Sequence, residues 1–139
     1  MSHNAISGRA YGFECRLESL SVEEALDRVT AALKGEGFGI LTQIDVKDTL
    51  KKKLGVDFRR YLILGACNPS LAHKALSTDP QIGLLLPCNV VIQEAPGGVL
   101  VSIADPRAIF TVVDNPALVP VVDEADQRLR RVMASLATR

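Results

Sequence analysis

Two apolar segments that flank a proline-glycine turn constrain the fold of this 139-residue chain more than any other feature. The segments are residues 88–95 and 99–104, and Pro96-Gly97-Gly98 lies between them. Their β-branched residues favour strands and the glycines permit a tight turn, so we predict a β-hairpin. Because a hairpin joins antiparallel strands, this feature disfavours a fully parallel, doubly wound sheet.

Helical periodicity accounts for much of the remaining chain. Ser21 and Glu24 form a capping-box pattern, and apolar residues then recur at three- and four-residue spacing on one helix face. Asp45 predicts the start of a short second helix. Asn68-Pro69 predicts the start of a third, because asparagine caps helices and proline suits their first position. Residues 120–137 predict a final helix, since their apolar residues line one face.

Three further segments predict strands. Residues 11–17 alternate between apolar and polar side chains, and residues 38–44 and 60–66 are rich in strand-forming residues. Residues 109–113 fit either a strand or a helix. The predicted order is βαβαβαββα, without the regular crossovers of a parallel sheet. We therefore predict an α+β fold: a single compact domain over residues 1–139, with an antiparallel-rich mixed sheet and helices packed on one face.

Composition narrows the classes of function. Sixteen basic residues balance sixteen acidic ones, and aromatic residues make up only 4% of the chain, so we predict no binding to nucleic acid. The most apolar region, residues 82–92, is too short to cross a membrane. The N-terminus lacks the pattern of a signal peptide, so we expect a cytoplasmic protein with three reduced cysteines.

Two cysteine-asparagine steps carry the strongest chemical signal, Cys67-Asn68-Pro69 and Pro87-Cys88-Asn89. Each thiol lies where a predicted element begins or ends. The unpaired N–H groups of a helix N-terminus stabilise a thiolate, which makes Cys67 a candidate nucleophile. Both thiols lie near one edge if strand 60–66 and the hairpin are neighbours in one sheet. The alternative is that both cysteines are small residues that fit tight turns.

The remaining candidates have simpler explanations. Cys15 shares the apolar face of the first strand, which indicates core packing. His73 lies on the predicted solvent face of its helix, and no second well-placed histidine completes a Cys/His metal site or a Cys-His nucleophilic pair. The lysines at residues 51–53 and the arginines near residue 130 are typical of solvated helix faces.

The segment Ile63-Leu64-Gly65-Ala66-Cys67-Asn68-Pro69 and the segment at residues 79–91 resemble a small prokaryotic family, "domain of unknown function 302". Val101-Ser102 followed by Asp105-Pro106 is similar to a further segment of that family. The resemblance spans residues 13–136. It implies a compact α+β domain that associates as a homodimer, and it carries over Asn68, Asn89 and Asp105 beside the two cysteines. It implies no particular reaction.

Three classes of function stay open at this level. In the first, Cys67 and Cys88 form a thiol site that carries sulfur, cycles through a disulfide or handles an oxidant, supported by Asn68, Asn89 and Asp105. In the second, the same thiols bind a soft metal such as zinc or copper, with Asp105 or a dimer mate. In the third, the protein is a binding or assembly module with structural cysteines. For the homodimer, the valine-rich region 109–122 is the expected contact surface.

Overall fold

The predicted hairpin lies within a single antiparallel sheet. The computed structural model describes residues 6–137, and all five pairs of neighbouring strands in this part of the chain are antiparallel. The strands follow the spatial order β1-β2-β6-β5-β4-β3. Their bounds are β1 Ile6–Arg9, β2 Gly12–Glu18, β3 Gly39–Asp45, β4 Tyr61–Cys67, β5 Cys88–Ala95 and β6 Gly98–Ala104. The α+β prediction is confirmed, and no described pair is parallel.

Within residues 6–137 the structure has five α-helices and three short 3-10 turns, of which the first three helices and the first turn connect strands and the others follow the last strand. The helices are α1 Val22–Gly35, α2 Val46–Leu54, α3 Pro69–Thr78, α4 Pro106–Ile109 and α5 Val119–Ala137. The 3-10 turns are Pro80–Leu85, Phe110–Val112 and Pro116–Leu118. Residues 109–113, which fit either a strand or a helix in the sequence, thus form the end of α4 and the 3-10 turn that follows it.

Local side-chain bonds set the beginnings of the helices as predicted. The Ser21 hydroxyl accepts a hydrogen bond from the backbone N–H of Glu24, and the Glu24 carboxylate accepts one from the N–H of Ser21. The Asp45 carboxylate accepts a hydrogen bond from the N–H of Asp48 at the start of α2. Such caps stabilise a helix by roughly 0.5–2 kcal/mol each, because they satisfy N–H groups that have no partner within the helix.

The main core lies between one face of the sheet and the pair α1 and α5. Both helices contact each other, and their apolar faces pack on residues from the central strands. Five fully buried members of this core are Leu17, Val29, Leu64, Ile92 and Leu129. Burial of each such side chain contributes roughly 1.5–3 kcal/mol, so the aliphatic core compensates for the scarcity of aromatic residues. The prediction that helices share one face is confirmed for this pair.

A smaller apolar cluster extends the core beyond the end of the sheet. Ala75 of α3, Ile82 and Leu118 are its buried members, and Phe110 and Val122 pack against them. Helix α3 contacts both α5 and the turn Pro80–Leu85. This cluster therefore connects α3, α5 and the segments that lead into and out of the hairpin.

Two details of the predicted pattern are wrong. The strand β1 is absent from the predicted order, because all four of its residues are exposed and show no alternation. Tyr11 was assigned to the apolar face of the first strand, but β2 begins at Gly12 and Tyr11 is exposed in the turn that precedes it. The alternation in the sequence therefore extends one residue beyond the strand itself.

Candidate functional site

The C-terminal end of β4 and the N-terminal end of β5 bring two cysteines together. Ala66 pairs with Cys88 across the antiparallel ladder, and Cys67 is the next residue and the last of β4. Typical strand spacing and rise place the Cα atoms of Cys67 and Cys88 about 6 Å apart. The prediction that strand 60–66 and the hairpin are neighbours in one sheet is confirmed.

Helix α3 begins at Pro69, and Asn68, which separates it from Cys67, determines where it starts. The Asn68 side-chain oxygen accepts a hydrogen bond of 3.2 Å from the backbone N–H of Leu71. Its side-chain nitrogen donates a hydrogen bond of 3.4 Å to the carbonyl of Glu36, in the loop between α1 and β3. Asn68 thus caps the helix, as predicted, and also holds a distant loop against it.

The loop at Glu36 is fixed from a second side. Arg128 of α5 donates a hydrogen bond of 3.1 Å to the same Glu36 carbonyl, and Arg131 donates to the Glu36 carboxylate. Gly37 follows with a φ of +83°, and a Cβ atom there would lie 2.9 Å from the Asn68 side-chain nitrogen. Arg128 and Arg131 of α5 thus hold the loop that Asn68 also contacts.

Cys67 and Cys88 line one apolar cavity of about 50 Å³. Its wall consists of residues from five separate parts of the chain, and all but the two thiols and Asn68 are apolar: Phe38, Ala66, Leu71, Ala72, Ala75, Leu86, Pro87, Phe110, Leu118, Val121, Val122 and Ala125. Both side-chain ends of Asn68 are occupied by the hydrogen bonds described above. No charged group lines the cavity.

The surroundings of the cysteines affect their ionisation. Burial, and to a smaller extent the charge of the neighbouring Cys67, raise the pKa of the Cys88 thiol to about 11. The two sulfur groups are thus close enough for the ionisation of one to oppose that of the other. Burial also raises the pKa of Cys15, which lies in the main core. All three cysteines are free thiols.

Cys88 borders both the apolar cavity, called the inner cavity from here on, and a second cleft on the outside of the protein. Besides the apolar cavity it lines an outer cleft of about 230 Å³, together with Asn89 and Pro106. Asn89 pairs with Gly65 in the ladder and is exposed on the sheet face opposite the main core. The asparagine after Cys88 therefore borders the outer cleft, whereas the asparagine after Cys67 borders the inner cavity.

Asp105 lies at a different position from the cysteines. Its carboxylate caps α4 by accepting hydrogen bonds from the backbone N–H groups of Arg107 and Ala108, and it pairs with Arg130 at 3.4 Å. It does not line the apolar cavity of Cys67 and Cys88.

Within residues 6–137, no group of three or more His, Cys, Asp or Glu side chains is placed to hold a metal ion. His73 is exposed on α3.

Sequence reasoning missed most of the cavity wall. Phe38, Phe110 and Val122 come from segments that are far apart in the chain, so no local spacing connects them to the cysteines. It also missed Asp126, a buried carboxylate that pairs with Arg130 at 3.0 Å and with Arg107 at 3.3 Å. The i, i+4 spacing of Asp126 and Arg130 was the available signal for this ion pair.

Comparison with known proteins supports the resemblance found in the sequence. A family model described as "Domain of unknown function DUF302" matches residues 13–136. A crystal structure of an uncharacterized conserved protein DUF302 from Bacillus stearothermophilus superposes with a TM-score of 0.82 at 28% sequence identity. The match covers 90% of this chain and 97% of the other. No curated protein matches the chain. None of the helices described in residues 6–137 has the length and apolar character needed to cross a membrane.

Proposed function

The chain belongs to the DUF302 family, which is defined by shared sequence and not by an activity, and from that premise we propose that Cys67 and Cys88 form a two-cysteine thiol site for sulfur or oxidant handling. The observation that carries the proposal is the cavity that both cysteines line. Such a site requires reduced thiols at rest, so we expect the protein to work in a reducing compartment such as the cytoplasm.

The two thiols have different roles in this proposal. Cys67 is the attacking thiol in this proposal, because it is partly exposed and precedes Asn68, the N-cap of α3, so that it lies at the positive end of the helix dipole. Cys88 stays protonated at neutral pH, since its pKa is raised to about 11. It is the second thiol, which reacts only after Cys67 has been modified.

The position of Cys67 at the end of a strand supports this pairing. Consecutive side chains of a regular strand point to opposite faces, and Ala66 already shares the face of Cys88. A cysteine in the middle of β4 next to such a pair would therefore point away from Cys88. Cys67 is instead the last residue of β4, where the chain turns into α3, and it borders the same cavity as Cys88.

The oxidant form of the proposal has two steps. The Cys67 thiolate attacks the O–O bond of a hydroperoxide, so that an S–O bond forms, the O–O bond breaks and the leaving oxygen takes a proton as water or alcohol. Cys88 then attacks the sulfenic acid on Cys67: an S–S bond forms, the S–O bond breaks and hydroxide leaves as water with the Cys88 proton. Two thiols thereby lose two electrons to the peroxide, and a small dithiol returns them.

The sulfur-carrying form uses the same two positions. The Cys67 thiolate attacks the outer sulfur of a low-molecular-weight persulfide: a new S–S bond forms on Cys67, the S–S bond of the donor breaks, and the donor leaves as a thiol after taking a proton. Attack of Cys88 on the inner sulfur of the Cys67 persulfide then releases hydrogen sulfide and leaves the Cys67–Cys88 disulfide. Either form ends in a reversible bond between the two cysteines.

The cavity favours small, uncharged reactants, but it is open on one side and Cys67 is partly exposed, so larger reagents can also reach this thiol. An apolar cavity of about 150 Å³ holds benzene, and this space is about a third of that volume, so it favours reactants smaller than benzene. The absence of a charged lining residue gives no compensation for a desolvated anion. We therefore favour hydrogen peroxide or a neutral hydropersulfide over glutathione-sized or anionic reactants.

The test is the chemical state of each cysteine after one equivalent of hydrogen peroxide. We expect a Cys67–Cys88 disulfide that dithiothreitol reverses, and a trapped Cys67 sulfenic acid in Cys88→Ser. The matched control is Cys15→Ser, which should behave like the native chain. Peptide mass spectrometry that finds both thiols unchanged would contradict the proposal and favour the alternative of structural cysteines in a binding module.

The metal alternative is tested with the same protein. Elemental analysis of the untagged chain would find near-stoichiometric zinc or copper if the thiols bind a soft metal. Loss of that metal in Cys67→Ser and Cys88→Ser, together with protection of the thiols from peroxide, would replace the redox proposal with a metal site.

A further inference from the structure

The chain has no net charge, but its charges are distributed unevenly. Residues 41–60, which comprise most of β3, the helix α2 and the segment that leads to β4, hold six basic and three acidic side chains. The rest of the chain holds ten basic and thirteen acidic ones. We call residues 41–60 the basic surface. Such a separation of charge orients a protein towards a negatively charged partner even when the net charge is zero.

The lysines of the basic surface are exposed and weakly held. Lys51 and Lys52 each pair with an exposed aspartate, at 3.3 and 3.0 Å. Lys53 is exposed and forms no ion pair within residues 6–137, and the Arg59 guanidinium lies over an aromatic ring instead of a carboxylate. Because exposed ion pairs contribute little to stability, these cations can exchange their aspartate partners for anions outside the protein.

Exposed aliphatic side chains accompany these cations. Lys51 lies one helical turn before Leu54, so the two side chains are neighbours on the surface of α2. A turn at Gly55, with a φ of +68°, then separates Leu54 from Val56. Ten large apolar residues are exposed among the described residues, and the basic surface holds four of them: Leu41 at 68%, Ile44 at 48%, Leu54 at 69% and Val56 at 45% exposure.

This combination of side chains fits an anionic lipid bilayer. Aliphatic side chains enter the boundary between headgroups and acyl chains, while lysines beside them reach lipid phosphates with their long stems. A nucleic acid offers phosphates but no apolar contact for the exposed leucines. An acidic protein would need carboxylates and apolar groups in one matching pattern, whereas mobile lipids adapt to any arrangement. Charge and apolar exposure together therefore favour lipid.

We infer that the basic surface docks this protein on an anionic bilayer. Leu54 and Val56 enter the headgroup region, and Lys51, Lys52 and Lys53 contact the lipid phosphates. The chain lies on the bilayer without crossing it. The cytoplasmic leaflet of cell membranes is the negatively charged one, so this docking fits the compartment that we expect for the reduced thiols.

The docking surface is separate from the proposed thiol site. No residue between positions 41 and 60 lines the inner cavity or the outer cleft. Loss of the thiol chemistry would therefore leave the docking intact, and loss of docking would leave the thiol chemistry intact. Because few aliphatic side chains and few cations take part, the binding is reversible and weakens as salt screens the charges.

Sedimentation of the full chain with lipid vesicles tests the inference. We expect at least about tenfold stronger binding to phosphatidylcholine vesicles that contain roughly 30% phosphatidylglycerol than to pure phosphatidylcholine, and no such preference at about 0.5 M salt. Lys52→Glu combined with Lys53→Glu should abolish the preference. The matched control, Lys34→Glu combined with Lys74→Glu, has the same net charge and should keep it.

Three results of this experiment would overturn the inference. The first is that the native chain does not bind the anionic vesicles, or binds both kinds of vesicle equally. The second is that the two double variants lose binding to the same extent, which would mean that only net charge matters. The third is binding to a polyglutamate peptide without binding to vesicles, which would indicate an acidic protein partner instead of lipid.

A fluorescent reporter tests which residues enter the bilayer. The chain contains no tryptophan, so a single introduced indole reports its own surroundings. The emission of Leu54→Trp should shift to shorter wavelength when anionic vesicles are added, because the indole leaves water. Leu84→Trp is the control, since Leu84 is 82% exposed but lies outside the basic surface. No shift in Leu54→Trp, or an equal shift in both variants, would overturn the proposed docking surface.

Discussion

At the residue scale, the three cysteines fall into two groups by exposure: Cys15 is buried, whereas Cys67 and Cys88 are both partly exposed. Cys15 was predicted to pack in the core from the alternation around it, and the structure places it there. Each of the other two precedes an asparagine, and the sequence favoured Cys67 as the more reactive thiol because it lies beside a predicted helix N-terminus. Burial in the cavity wall and the proximity of Cys67 raise the pKa of Cys88, and neither effect is visible in local spacing.

This difference predicts the order in which the thiols are alkylated. A thiol with a pKa of about 11 is almost fully protonated at pH 7, and its thiolate fraction rises about tenfold with each pH unit up to about pH 10. We expect iodoacetamide to label Cys67 first in the folded protein, and the rate at Cys88 to keep rising up to about pH 11. Peptide mass spectrometry across a pH series measures both rates.

Cys15 is the internal control for that series. Because burial in the core shields its thiol, it should react only when the protein unfolds. Labelling of Cys15 before Cys67, or labelling of Cys67 only in denaturant, would contradict the proposed thiol site.

At the element scale, local chemistry made the fold largely predictable. Three predicted features depend on residues within four positions of one another, and the structure confirms all of them: the capping box at Ser21, the cap at Asp45 and the hairpin turn after Ala95. β1 was missed because an exposed strand carries no apolar alternation. The second role of Asn68 was also missed, because its hydrogen bond to Glu36 joins residues 32 positions apart.

The two hydrogen bonds of Asn68 can be separated by substitution. Asn68→Ala should lower the free energy of unfolding by about 1–2 kcal/mol, since it removes the α3 cap and one of the two side-chain hydrogen bonds to the Glu36 carbonyl. Asn68→Asp keeps the acceptor for the Leu71 N–H but loses the donor to Glu36, so its loss should be smaller. Urea denaturation measures both values.

Asp45→Ala is the matched control for a cap without a second bond. It removes the carboxylate that caps the exposed helix α2 and should cost no more than about 1 kcal/mol. If Asn68→Ala costs no more than Asp45→Ala, the link between Asn68 and the α1–β3 loop has no energetic significance.

At the scale of the whole molecule, the cavity depends on contacts that no single segment contains. Phe38 follows α1, Leu71 belongs to α3, Phe110 follows α4 and Val122 belongs to α5. The pairing of β4 with β5 brings the thiols to one end of the sheet, and the smaller apolar cluster closes the space beside them. Such a site follows from topology, which explains why the sequence indicated the cysteines but not their surroundings.

If the cavity limits which reactants reach the thiols, its wall should control selectivity. Val122→Ala removes two methyl groups from the wall, so the reactivity of Cys67 with cumene hydroperoxide should rise relative to hydrogen peroxide. The loss of packing should cost roughly 1–2 kcal/mol of stability. Val119→Ala on the same helix is the control, because Val119 is exposed and does not line the cavity. Competition between the two peroxides, read as the fraction of oxidised Cys67, measures the ratio. If this ratio of Cys67 oxidation by the two peroxides is unchanged in Val122→Ala, reactants approach Cys67 by a route outside the cavity. That result would contradict the proposed preference for small reactants. It would not contradict the pairing of Cys67 with Cys88.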